Sequence, residues 1–197
     1  MKKLVVMASG KGSNFATILD HVKKDEINGR ISALIVDKTC GAEEIAKKHN
    51  IPVFKLKTRD FTEELIKILA KVSPNYILLA GFMRILKKEV VDRYPNQIIN
   101  VHPSLLPAFP GLNAVQQALN YGVKVTGCTM HFVDDKLDHG PIIAQESVSV
   151  SENDCAESLL AKIQTKEHKL YPQVVKLLCD DKITIKNRTV YVEEEKK

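Results

Sequence analysis

The 197-residue chain has no tryptophan, only 6% aromatic residues, and four cysteines that stand far apart, Cys40, Cys128, Cys155 and Cys179. Without two cysteines close in sequence, neither a CxxC redox pair nor a zinc knuckle can be built locally, so reduced thiols and a cytoplasmic location are expected, with no metal. No apolar run approaches the ~20 residues of a membrane span, and the N-terminal apolar stretch is too short for a signal peptide. A membrane partner is not expected. The net charge of +5 comes from scattered pairs such as Lys23-Lys24, Lys47-Lys48 and Lys87-Lys88, with no arginine-rich or aromatic-interleaved patch. That pattern argues against nucleic acid and fits surface solubility with a mild bias toward small anionic substrates. Nor is there a Gly/Ser-rich linker, a composition break or an internal repeat, so a single domain is expected.

What is present is an alternation of short apolar runs and helical patterns. Leu4 to Ala8 is a continuous apolar run, followed by Ser9-Gly10-Lys11-Gly12-Ser13-Asn14 and a helical pattern through Ile18, Leu19 and Val22. The alternation recurs with Ile31 to Val36 and Ala42 to His49, Val53 to Leu56 and Phe61 to Val72, then Tyr76 to Leu79. Repeated strand and helix units predict an α/β fold with a mostly parallel sheet buried on both faces, which is why these strands are runs rich in Val, Ile and Leu rather than alternating patterns. Gln97 to Val101 is a fifth strand. The proline-rich stretch Pro103 to Gly111 cannot start a helix and must be a fixed extended loop. Ala114 to Tyr121 reads as a helix, Val125 to Val133 and Ile142 to Val150 as a hairpin-like pair of strands, and Ala156 to Leu178 as a long helix with a kink or break at Pro172. The tail beyond Lys182 has no apolar anchor, and residues 191–197 are expected to fray.

Two places carry chemistry. A glycine-bearing turn between a first strand and its helix gathers backbone N–H groups and the positive end of the helix dipole, which suits a phosphate at Gly12, Ser13 and Asn14. Two glycines alone also fit a plain βα turn. A dinucleotide site would want a small residue at Phe15, although Asp37 could imitate its ribose-binding acid. A P-loop lacks its Gly-Lys-Ser/Thr ending. The second place is Asn100 and His102, two apart at the carboxyl end of a strand and therefore on one face, where ligands of open α/β sheets gather. An amide N–H₂ and an imidazole there can both donate to an oxygen that gains charge in acyl transfer. The plainer alternative is a capping Asn and a loop-bonding His. Asp138, in Leu137-Asp138-His139-Gly140-Pro141, can orient an imidazole and favour its protonated form, or simply stabilise a turn.

Together, Gly12-Ser13-Asn14, Leu79-Ala80-Gly81-Phe82-Met83-Arg84-Ile85-Leu86, Asn100-Val101-His102-Pro103-Ser104-Leu105-Leu106-Pro107 and Leu137-Asp138-His139-Gly140-Pro141 resemble the folate-dependent formyltransferases, and within them the branch acting on glycinamide ribonucleotide. The resemblance runs in order from the first strand to about Pro172. It implies a single-domain Rossmann-like fold over residues 1–190, with a C-terminal hairpin-like extension and a long helix. Residues of about 1–100 would bind the nucleotide phosphate, and about 101–190 would bind folate and carry catalysis. It implies transfer of the formyl group of 10-formyltetrahydrofolate to the amine of glycinamide ribonucleotide, without a metal, by a monomer or homodimer. Asn100, His102 and Asp138 would be catalytic. Gly12, Ser13 and Asn14 would hold the nucleotide phosphate, and Gln164 and Glu167 the ribose or glycinamide portion. Folate would meet Arg59, Met83, Arg84, Ile85, Leu86, Val91, Asn100, Asp134, Asp135, Lys136 and Leu137. The alternative within the resemblance is a formyltetrahydrofolate hydrolase or a transferase for another amine. tRNA formyltransferases carry a further C-terminal domain and formylfolate hydrolases a further N-terminal one, and the length leaves room for neither. The stretch at Thr58-Arg59-Asp60 is short for the family, His139 stands where a small residue is usual, and Asp37 where Asn is common.

Overall fold

The structure, a computed structural model, describes residues 1–193. Its elements in chain order are β1 (Lys2–Ala8), α1 (Ser13–Lys23), β2 (Gly29–Val36), α2 (Gly41–Lys48), β3 (Val53–Lys55), α3 (Thr62–Val72), β4 (Tyr76–Leu79), α4 (Lys88–Arg93), β5 (Ile98–His102), α5 (Ala114–Tyr121), β6 (Val125–Phe132), β7 (Ile142–Ser149), α6 (Ala156–Cys179), β8 (Ile183–Lys186) and β9 (Thr189–Val192). Seven strands form one sheet in the order β3-β2-β1-β4-β5-β6-β7. The first five are parallel, while β6 and β7 run antiparallel to their neighbours.

Period two sorts the strand residues onto two faces. Leu4, Val6 and Ala8 of β1 pack with Phe15 and Ile18 of α1, Ala42 of α2 and Leu159, Ile163 and Tyr171 of α6. Val5 and Met7 pack on the other side with Leu65 and Leu69 of α3 and Val90 and Val91 of α4. Ile99 and Val101 belong to the first cluster and Ile98 to the second, so Asn100 and His102, in phase with Ile98, open onto the α3/α4 side. Chain order reverses between β1 and β4, the position where such sheets open a crevice beyond their carboxyl ends. The loops leaving those two strands are tied together: Ser9 N–H donates to the Gly81 carbonyl at 3.0 Å and Met83 N–H to Ser9 Oγ at 3.0 Å.

Two expectations need correction. Of the kink or break expected at Pro172, the break does not occur: the long helix is continuous there. Proline removes one backbone bond to the preceding turn, yet Leu170, Tyr171, Pro172, Val174 and Val175 are all buried, and helical stability in proteins comes mainly from such packing. The chain beyond Lys182 is also anchored: β8 and β9 form an antiparallel hairpin whose Ile183, Ile185 and Val190 pack against the main core. Tyr191 and Val192, expected to fray, therefore close a strand; residues 194–197 of that expected tail lie outside the described residues. The short α4 was not expected, because six residues show too little periodicity.

Candidate active site

At the mouth of β1 the turn is dictated by backbone. Gly12 has φ +83°, and a Cβ there would stand 2.8 Å from the Ala42 Cα, so the position demands glycine for conformation and for the close passage of α2. α1 starts at Ser13 and has no acidic residue in its first turn, leaving its N–H groups and dipole uncompensated for an anion. Asn14 is buried and its Nδ2 donates to Glu167 Oε2 at 2.9 Å, while its Oδ1 is buried without a partner. Burial pushes the Glu167 carboxyl above its ordinary range, and the Asn14 hydrogen bond offsets only part of that. Two groups separated by 153 residues thus share one corner, and Gln164 stands one turn before Glu167 on α6.

The second cluster is built on β5. His102 Nδ1 lies 3.3 Å from Asp138 Oδ2, and His102 Nε2 lies 2.8 Å from the Phe109 carbonyl. Both ring nitrogens therefore face oxygen acceptors, an arrangement that an imidazolium satisfies with two donors. Asn100 Nδ2 approaches Asp138 Oδ1 at 3.5 Å and His131 Nε2 at 3.2 Å. His131, directly opposite Asn100 in the β5–β6 ladder, did not stand out in the sequence. The alternation Thr129, His131 against Met130, Phe132 carries it, but its partner appears only once β6 is paired with β5. Burial holds the His131 imidazole below its ordinary pKa, and its Nδ1 lies 2.8 Å from the Phe132 carbonyl. A neutral ring donating from Nδ1 leaves Nε2 as the acceptor for the Asn100 amide, which fixes the amide's orientation.

Asp138 arrives from an unexpected direction. Because β6 is antiparallel to β5, it leaves the sheet beside Ile98, where Val133 N–H bonds the Ile98 carbonyl at 2.9 Å. The 134–140 loop then folds back toward the carboxyl end of β5, and Asp138 Oδ2 accepts the Gly111 N–H at 2.8 Å. Asp138 itself has φ +47°, a conformation that side chains other than glycine adopt at some cost. The proline-rich loop is fixed as expected: Thr129 Oγ1 donates to the Ser104 carbonyl at 2.7 Å and accepts the Leu106 N–H at 3.0 Å, and Ser104 Oγ donates to the Ala108 carbonyl.

The residues expected to enclose a pterin divide. Met83 is 69% exposed, Ile85 73% and Leu137 56%, apolar side chains with no core to fill. Leu86 is half-buried against the α3/α4 core, whereas Val91 is buried within it and offers no free side chain. Arg84 lies 4.2 Å above the Phe61 ring and donates to the carbonyls of Thr58 and Arg59, bringing the two arginines into one corner. Asp134 accepts the Lys136 N–H at 3.0 Å, and Asp135, Lys136 and Leu137 are exposed around that turn. An open hollow of about 990 Å³ lies beside this corner, lined by Lys57, Thr58, Asp60 and Lys87 among others, and contains none of Asn100, His102, His131 or Asp138. Among the described residues no group of three or more His, Cys, Asp or Glu is placed to hold a metal ion, and no helix is long and apolar enough to cross a membrane.

The sequence pattern of the family described as formyl transferase matches residues 2–175. The phosphoribosylglycinamide formyltransferase of Bacillus subtilis (strain 168) is 41% identical over 185 residues, covering 90% of this chain and 95% of that protein. The crystal structure of glycinamide ribonucleotide transformylase 1 from Symbiobacterium toebii superposes with a TM-score of 0.95 at 37% identity, over 98% of this chain and 95% of that one. A formyltetrahydrofolate deformylase from Pseudomonas syringae pv. tomato is also similar, with a TM-score of 0.93 at 27% identity, but this chain spans 66% of its length.

Proposed function

The chain belongs to the formyl transferase family, and from that premise we propose that it transfers the formyl group of 10-formyltetrahydrofolate to the amine of glycinamide ribonucleotide, a step of purine biosynthesis. One observation carries the reading: a single sheet mouth holds both an anion cradle at Gly12, Ser13 and Asn14, backed by buried Glu167, and the donor cluster of Asn100, His102 and Asp138. A phosphorylated acceptor needs the first and acyl transfer needs the second.

The amine nitrogen attacks the formyl carbon and the carbonyl oxygen becomes an oxyanion. His102 Nε2, which now donates to the Phe109 carbonyl, exchanges that acceptor for the oxyanion. Asn100 can turn its longer bond, the 3.5 Å contact to Asp138, to the same oxygen while His131 retains the other N–H. Asp138, 3.3 Å from His102 Nδ1, keeps the ring oriented. Collapse breaks the bond to the folate nitrogen, which takes up the proton lost by the amine, by way of His102 or a water ordered by Asp138, giving formylglycinamide ribonucleotide and tetrahydrofolate. Ser104 holds its loop and forms no acyl-enzyme. Met83, Ile85 and Leu137 supply the apolar walls for the pterin, and the Arg59–Arg84 corner suits the acidic end of the folate. In this reading residues of about 1–100 carry the phosphate cradle and about 101–190 bind folate and carry catalysis, with Asn100 at the boundary and Gln164 and Glu167 reaching back to the nucleotide, in a cytoplasmic monomer or homodimer that takes only small-molecule substrates.

The second reading, hydrolysis of formyltetrahydrofolate, is favoured by the deformylase neighbour. Water as acceptor would leave the Asn14–Glu167 pair and the bare helix terminus without a ligand. Tetrahydrofolate release from 10-formyltetrahydrofolate, followed with and without glycinamide ribonucleotide, separates the two. Acceptor-dependent release is expected, acceptor-independent release means a hydrolase, and no release in either case rejects both.

A further inference from the structure

Beyond the contacts of Asp138 with Asn100 and His102, the loop that presents it is gripped from outside at the next residue, His139. Its ends are fixed by the sheet: at Gly140 a Cβ would run into the Phe132 carbonyl, and Phe132 N–H bonds the Pro141 carbonyl at 2.9 Å. Within it, Asp134 binds the Lys136 N–H and, at 2.7 Å, His139 Nδ1. Burial raises the Asp134 carboxyl, but the hydrogen bonds from His139 and Lys136 outweigh it and hold the group below its ordinary range. Asp138 has φ +47°, a conformation that persists only where its surroundings impose it.

Arg188 sits at the turn of the β8–β9 hairpin, beside Asn187 at φ +57°. Its Nη2 donates to the His139 carbonyl, and its Nη1 stands 3.3 and 3.4 Å from the two His139 ring nitrogens. The hairpin does not wander: Ile183, Ile185 and Val190 pack on the core, and Glu193 N–H bonds the Lys182 carbonyl at 2.9 Å. The planar fork of an arginine can grip a carbonyl while lying against a neighbouring ring, which a lysine point charge does less well. Arg188 is exposed, so the contact adds little to global stability. Its reach is local, onto the residue next to Asp138.

We propose that Arg188 is a positioning residue, clamping the His139 carbonyl so that the 134–140 loop delivers Asp138 to His102; this rests on the catalytic assignment of Asp138 made above. Displacement of a catalytic group by ~1 Å can cost as much as ~10²-fold in rate, so Arg188→Ala is expected to lower kcat roughly tenfold at nearly unchanged KM for glycinamide ribonucleotide and nearly unchanged Tm. Arg188→Lys should recover part of the loss. His139→Ala keeps the backbone carbonyl and should cost less than Arg188→Ala. The deciding measurement is the double variant: Arg188→Ala should have no further effect in an Asp138→Asn background. Near-normal turnover of Asp138→Asn alone would overturn the catalytic reading. An impaired Asp138→Asn together with unaltered kcat in Arg188→Ala, or with an independent further loss in the double variant, would overturn the clamp while leaving that reading in place. A Tm loss in Arg188→Ala that accounts for the rate loss, with no recovery in Arg188→Lys, would do the same.

Discussion

The phosphate corner and the acyl-transfer corner share one sheet mouth but are made in opposite ways. The first is regular structure: a strand, a glycine turn that no other residue fits, the first turn of α1, and Glu167 in the middle of a 24-residue helix. The second has only Asn100, His102 and His131 on strands. Asp138 and the Phe109 carbonyl come from two loops, each carrying a non-glycine residue at positive φ, 47° and 54°. An immobile cradle suits a phosphate that need only be held, whereas donors that must change acceptors during a reaction are better served by loops whose bonds are individually weak. The two corners should therefore fail separately and differently.

The largest effect belongs to the loop-built corner. Asn100→Ala or His102→Ala removes an oxyanion donor and should lower kcat by ~10²–10³ while leaving KM for glycinamide ribonucleotide within a few-fold. Near-normal turnover in both variants would end the assignment. The second effect belongs to the other corner. Gly12→Ala places a side chain at φ +83° and 2.8 Å from the Ala42 Cα, so α2 must shift. We expect a loss of ~1–3 kcal/mol from backbone strain alone, visible as a lower Tm, with a raised KM for the nucleotide and an unaltered KM for the folate. Equal rises in both constants would mean that the corners are not independent.

This contrast also governs what the sequence could reveal. The strands β1, β2 and β4 are legible as short runs rich in apolar residues because burial on both faces demands them, and Asn100 and His102 share a face by period two alone. The β8–β9 hairpin is legible too, in the alternation Ile183-Thr184-Ile185-Lys186 and Thr189-Val190-Tyr191-Val192 about Asn187-Arg188, although the charged residues at the end of the chain argue for a frayed tail. The continuity of α6 through Pro172 was hidden because local propensity opposed it and tertiary packing decided it. His131 was hidden for a different reason. Its role depends on facing Asn100 across an antiparallel pair, and which strand β6 pairs with is decided by the connection through the proline-rich loop and α5 rather than by either strand alone.

A finer test of the rigid corner is Glu167→Gln. The amide can still accept from Asn14 Nδ2, so the corner's packing survives while its charge is lost. KM for glycinamide ribonucleotide should rise about tenfold, equivalent to ~1.4 kcal/mol, with little change in kcat. Stability provides an independent reading. The folded carboxyl lies above its ordinary 4.5, so the folded state binds the proton more tightly and wild type loses stability as pH rises through the raised value. The glutamine variant has no such loss and should match or exceed wild-type stability near neutral pH, measured by urea unfolding.

The smallest effect sharpens the other side. His131 is neutral in its buried place and lies below its ordinary 6.5, so the unfolded chain binds a proton there that the folded one does not. Its contribution to stability is complete above 6.5 and falls as the pH drops toward the depressed folded value, by at most ~1.4 kcal/mol per pH unit for one proton. Protonation also costs Asn100 its acceptor, since Nε2 can no longer receive the amide N–H. His131→Gln retains an oxygen acceptor without a titrating group. It should keep most of the turnover above pH 7 and show a shallower decline of both stability and kcat between pH 6.5 and 5. An unchanged acid limb in that variant would assign the decline to another group and remove His131 from the acyl-transfer corner.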